Sequence, residues 1–138
     1  MRTLATYLNF NGATEEAFNF YKDVFSGEYI NFQRFGDLPG GQVADADKNK
    51  ILHVGLKLPN GQLLLGSDVP SSHPKAVFGD NFSLCAMTET KEETDRIFAR
   101  FSEGGTVLMK LDNMFWGAYY GIVKDRFGIT WMLEYFTK

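Results

Sequence analysis

A single cysteine, Cys85, excludes an internal disulfide and any metal centre built on cysteine spacing. It lies in Phe82-Ser83-Leu84-Cys85-Ala86-Met87, an apolar strand-like run, and is expected to be a buried, inert thiol. Histidine is almost as scarce, with His53 and His73 alone. No run approaches the roughly 18 apolar residues of a membrane span, and no basic segment followed by an apolar stretch opens the chain. No membrane association or export is therefore expected, and a soluble, cytoplasmic protein follows. Nor is charge of one sign in excess: 14 basic residues against 17 acidic leave −3 at pH 7. The basic residues are scattered rather than clustered, so no nucleic-acid partner is expected. Familiar catalytic signatures are missing too. Ser67-Asp68 has no Gly-x-Ser-x-Gly elbow around it. The glycine-rich Gly36-Asp37-Leu38-Pro39-Gly40-Gly41 lacks the lysine and Ser/Thr of a phosphate loop. No glycine-rich crossover of the kind that holds adenosylmethionine follows a strand.

Aromatic residues, by contrast, are abundant. They make up 15% of the 138 residues, 13 of them phenylalanine. A chain of this length buries a sizeable core within one domain. The aromatic excess implies either a thick core or a partly apolar cavity, which composition does not separate.

The pattern along the chain has two halves with one plan. Residues 3–10 read as a strand, Asn11-Gly12 as a turn, and Thr14 as the cap of a helix with Glu15 and Glu16 in its first turn. Ala17, Phe18, Tyr21, Val24 and Phe25 recur at helical spacing, and Gly27 ends the helix. Residues 28–35 alternate as a half-buried strand, and 36–50 read as a loop or mobile flap. Residues 51–58 and 62–66 form a hairpin across Pro59-Asn60-Gly61. Residues 67–81, with Pro70 and Pro74, link the halves. The second half repeats the order: a strand over 82–88, a helix over 91–103, and strands over 106–111, 119–124 and 129–135. Thr94, Ile97, Phe98 and Phe101 lie on the inner face of that helix, which Gly104-Gly105 ends. The last two strands are joined by a tight Asp-x-Phe-Gly turn starting at Asp125. The pattern predicts an α+β fold of two βαβββ modules, about 1–68 and 81–138 with a linker over 69–80. Paired, they would form a curved mixed sheet around a cleft with helices outside.

Four motifs carry a family resemblance across both halves. They are Phe20-Tyr21-Lys22-x-Val24-Phe25-x-Gly27, Gly104-Gly105-Thr106-Val107-x-Met109, Phe115-Trp116-Gly117, and Asp125-x-Phe127-Gly128-x-x-Trp131-Met132. With the two-module plan, they resemble the vicinal oxygen chelate superfamily of glyoxalases, bleomycin resistance proteins and dioxygenases. The resemblance is to its PhnB-like branch, often labelled 3-demethylubiquinone 3-methyltransferase-like. It implies a homodimer and a small-molecule site. Metal-using members place histidine, glutamine or glutamate near the first and last strands of each module. This chain offers Ala5, Thr6 and Tyr7, then Ser83, then Leu65, Gly66 and Ser67, and finally Met132 where a carboxylate is expected. Glu134, two residues on with the same strand parity, is the remaining candidate. The usual set of imidazole and carboxylate donors is missing, so no metal cofactor is expected.

The candidate site residues follow from these placements. His53, alternating with Leu52, Val54 and Leu56, would share a face with Ile51, Gly55 and Lys57. It could act there as base or hydrogen-bond donor, or serve as a structural histidine. His73, in Ser71-Ser72-His73-Pro74, reads as linker surface. Glu134 stands inside an apolar stretch, where a carboxylate facing a cavity needs a partner such as His53 or Lys57; otherwise it is solvated at the strand end. Trp116-Gly117 marks a ligand rim or a dimer contact. Tyr119 and Tyr120 point to opposite faces, and Tyr7 suits an opposing wall, whereas Trp131 belongs to the core. The leading expectation is metal-independent binding of a small organic molecule by Tyr7, His53, Trp116, Tyr120 and Glu134. The alternatives are a lyase, isomerase or dioxygenase-like enzyme using Glu134 and His53, and a scaffold whose cavity has filled with side chains.

Overall fold

A computed structural model describes residues 1–137. The chain divides into two compact units, Met1–Val77 and Phe78–Lys138. Each unit has one helix and four strands in the expected βαβββ order.

The first unit contains β1 (Thr6–Phe10), α1 (Thr14–Phe25), β2 (Glu28–Arg34), β3 (Ile51–Lys57) and β4 (Leu63–Asp68). Its sheet runs β1-β4-β3-β2, with β1 parallel to β4 and the other pairs antiparallel. One face packs on α1: Leu8, Phe10, Val54, Leu56 and Leu64 are buried together with Ala17, Phe18, Phe20, Tyr21 and Val24. Each large side chain so buried contributes ~1.5–3 kcal/mol. Phe18 lies against Gly66 of β4, where an added Cβ would stand 2.6 Å from its ring.

Asp68 organises this unit. Its carboxylate accepts the Gly12 N–H at 2.9 Å, the Thr14 N–H at 3.1 Å, the Thr14 hydroxyl at 2.6 Å and the Ile51 N–H at 2.8 Å. This corrects the expected helix start: Ala13 occupies the N-cap without a side-chain bond, and the cap is supplied from β4. A second correction concerns Ile51. The β2–β3 ladder shifts register between Gln33 and Arg34, and Ile51 is buried in the core instead of sharing a face with His53. The segment 36–50 holds two short 3₁₀ turns, Phe35–Asp37 and Asp45–Asp47. Its base is tied by Phe35 N–H to the Lys50 carbonyl and Gly36 N–H to the Lys48 carbonyl, both 3.0 Å. Asp47 further accepts the Ser71 N–H at 3.1 Å and hydroxyl at 2.8 Å.

The second unit contains β5 (Leu84–Met87), α2 (Lys91–Ser102), β6 (Thr106–Asn113), β7 (Ala118–Lys124) and β8 (Thr130–Phe136). The order is β5-β8-β7-β6, again with one parallel pair, β5 and β8. Thr90 caps α2, accepting the Glu93 N–H at 3.0 Å. Thr94, Ile97, Phe98 and Phe101 are buried as expected. Phe101 stacks on Trp131 with centroids 4.6 Å apart, and Phe98 lies on Gly121 of β7. The Asp-x-Phe-Gly turn joins β7 to β8, with Gly128 at φ 96°. There Asp125 accepts the Phe127 N–H at 2.9 Å, the Ile129 N–H at 3.0 Å and the Trp131 indole N–H at 2.9 Å.

Candidate functional site

Strand alternation leaves one face of each sheet turned away from its helix. In the first unit Leu8 and Phe10 point to α1, so Tyr7 and Asn9 point the other way. Asn9 faces the Ser67 hydroxyl at 3.5 Å. His53 lies on this same face: the Tyr7 hydroxyl is 3.4 Å from its Nδ1, and the rings lie 5.8 Å apart. Tyr7 and His53, picked out separately in the sequence, are thus a contacting pair. His73 is exposed beside the Ser72 hydroxyl in the linker, as expected.

In the second unit Tyr119 turns toward α2 and donates its hydroxyl to Asp95, while Tyr120 turns away. Tyr120 pairs across the ladder with Glu134, and Glu134 pairs on its other side with Met87. Cys85 pairs with Met132 one step along the same face. Trp116 closes the end of this face, its ring 5.7 Å from that of Tyr120 at an interplanar angle of 68°. Trp116 is 46% exposed and Tyr120 only 9%. Trp116, Tyr120 and Glu134 are therefore brought together on one helix-free face.

Cys85 departs from expectation. It is exposed on this face rather than buried, since the short strand β5 alternates Leu84 and Ala86 inward with Cys85 and Met87 outward. Partial desolvation, then the Glu134 charge, pushes its thiol up. Desolvation, followed by the charges of Cys85 and Glu134, also raises the Tyr120 phenol. Both groups are protonated donors at neutral pH, and Glu134 supplies the acceptor. The face can hold and orient a polar group; an activated thiolate is not among its resources. Sequence reasoning missed Cys85 because an apolar run reads as buried, although its parity with Met87 and Glu134's strand partner was legible.

An open depression of about 500 Å³ lies elsewhere, beside Glu89, Thr90, Glu92, Glu93 and Arg96 at the start of α2. None of the candidate residues lines it.

Among the described residues, no three His, Cys, Asp or Glu side chains converge into a metal-binding group. Met132 presents a thioether where the metal-using pattern needs a carboxylate, so the residues here do not fit a divalent ion. Adenosylmethionine fits no better. At the one strand-to-helix turn with a glycine, the Gly12 and Thr14 donors are already taken by Asp68, and the turn before α2 has no glycine.

The two helix-backed mixed sheets define the glyoxalase/bleomycin resistance/dioxygenase fold. A domain of that description from Frankia matches with a TM-score of 0.69 at 10% identity, over 100% of this chain and 94% of that one. The chain belongs to the family described as 3-demethylubiquinone-9 3-methyltransferase, the PhnB-like branch, which it matches over residues 2–134. Protein PA1353 from Pseudomonas aeruginosa is 34% identical with a TM-score of 0.89, covering 99% of this chain and 98% of that one. The PhnB protein from Bacillus cereus is 30% identical with a TM-score of 0.81, covering 97% and 99%. Among the described residues, no helix is long and apolar enough to cross a membrane.

Proposed function

We propose that this protein binds a small organic molecule without a divalent metal, using the helix-free faces of its sheets. The assembly of Trp116, Tyr120 and Glu134 on one face carries the reading. It combines a flat apolar wall with one acceptor and protonated donors, the composition of a ligand site. Tyr7 and His53 form a separate polar pair on the first sheet. Native mass spectrometry of gently purified protein, with elemental analysis, tests the reading. A metal-free species carrying an organic mass is expected. Stoichiometric divalent metal would overturn it.

The contact between the Tyr7 hydroxyl and His53 Nδ1 favours a second reading, because it fixes an imidazole on the open face. In that reading a lyase, isomerase or dioxygenase-like reaction uses Glu134 and His53. Alanine at both positions would then abolish turnover, and unchanged turnover would exclude both residues.

The proposal includes a homodimer acting in the cytoplasm. Support comes from the edge strand β6, where Val107, Leu108 and Met109 are all exposed, and from Ile30 exposed on the edge strand β2. Exposed apolar edges of this kind favour cover by a second copy. Sedimentation at micromolar concentration is expected to give a dimer; a monomer would refute it. Cell fractionation tests the location.

A further inference from the structure

Glu134 has no basic residue opposite it in the ladder: its neighbours across β5 and β7 are Met87 and Tyr120. It is half-buried, and its charge reaches both Cys85 and Tyr120, raising each. Around it stand a phenol, a thiol, two thioethers and, against Tyr120, the indole of Trp116. The two rings meet at 68°, so their electron-rich faces form a corner rather than a stack. Such a corner attracts a cation through the ring quadrupoles, and polarisable sulfur adds to it. A bound anion would meet the Glu134 charge, and a neutral molecule without a donor group would strip water from the carboxylate without replacing it. A cation of diffuse charge meets the carboxylate, the aromatic faces and the sulfur atoms together.

From this arrangement we infer that the second sheet face selects an organic cation, of the substituted-ammonium class, with Glu134 as its counter-ion and Trp116 and Tyr120 as its aromatic walls. The inference rests on the small-molecule reading above and narrows it to one charge class.

Calorimetric titration with choline, its uncharged carbon isostere dimethylbutanol, and the matching branched carboxylate tests it. Choline is expected to bind about tenfold tighter than the alcohol, and the carboxylate weakest. Glu134→Gln should reduce the choline-to-alcohol ratio several-fold. Trp116→Leu, at an exposed position, should weaken choline several-fold more than the alcohol. Equal affinities for choline and the alcohol, or a ratio unchanged in both variants, would overturn the inference and leave small-molecule binding standing. Absence of binding by all three probes would overturn the inference. If a wider panel of neutral aromatic and aliphatic compounds also fails to bind, the small-molecule reading falls with it.

Discussion

Asp68 and Asp125 are both buried and both saturated by donors, yet they hold different kinds of structure together. Asp68 reaches across its unit, joining the turn after β1, the start of α1 and the start of β3, residues 17 to 56 positions away. Asp125 holds its own hairpin, accepting from Phe127, Ile129 and Trp131 within 6 positions along the chain. One carboxylate closes a topology; the other shapes a turn and fixes the indole of Trp131. The open faces differ in the same spirit. The first sheet presents the polar pair Tyr7 and His53, whereas the second surrounds Glu134 with sulfur and aromatic groups. Two copies of one plan have thus divided into a long-range frame with a polar face and a locally braced frame with an apolar, acidic one.

The largest effect is expected from Asp68→Ala. It leaves several buried donors without an acceptor and should lower the unfolding free energy by about 3–5 kcal/mol in urea titration. Asp125→Ala removes the acceptor of three hairpin donors and should cost about 2–3 kcal/mol. A loss from Asp125→Ala equal to or above that from Asp68→Ala would break the distinction between long-range and local bracing.

Alkaline titration sharpens the comparison next. Tyr29 in the first unit is pushed up to about 12 by burial and then by the Glu15 charge. Tyr119 in the second is pushed up to about 12 chiefly by its hydrogen bond to Asp95. Because both folded values exceed the ordinary 10, the folded state keeps protons that the unfolded chain has released. Their stabilisation is complete below pH ~10 and is lost as pH rises toward 12. Asp95→Asn should return Tyr119 toward 10 in an ultraviolet titration and leave Tyr29 in place. Movement of both would show that the two shifts share a cause.

The smallest effect concerns Cys85. Glu134→Gln removes the second cause of its raised pKa while desolvation stays, so iodoacetamide labelling at pH 8 should speed up about two- to threefold. An unchanged rate would detach Cys85 from Glu134 and weaken the description of that face as one electrostatic unit.

Local pattern carried most of the architecture. Helical spacing located the inner faces of both helices, and parity placed Tyr119 and Tyr120 on opposite sides of β7. That Tyr120 and Glu134 share a face came from the ladder across the hairpin after Asp125. What stayed illegible depends on partners distant in sequence. Thr14 has the composition of a cap, but the capping oxygen comes from Asp68, 54 positions on. Ile51 obeys strand alternation in sequence and breaks it in space, because Leu52 is the extra residue of a bulge between Ile51 and His53 that only the pairing with β2 reveals. The placement of Cys85 depended on whether an apolar run has one open face, which requires knowing what covers it.

Gly66 beneath Phe18 and Gly121 beneath Phe98 carry a consequence for exchange between relatives. In each unit the helix ring fills the volume that a strand side chain would otherwise occupy. Neither half of such a pair is interchangeable alone: alanine at 66 with Phe18 retained would drive the helix outward, and a smaller residue at 18 over Gly66 would leave a void. Chimaeras that swap a helix without its strand should therefore fail where whole-module swaps succeed, and the compatible unit of recombination is the helix together with the glycine it rests on.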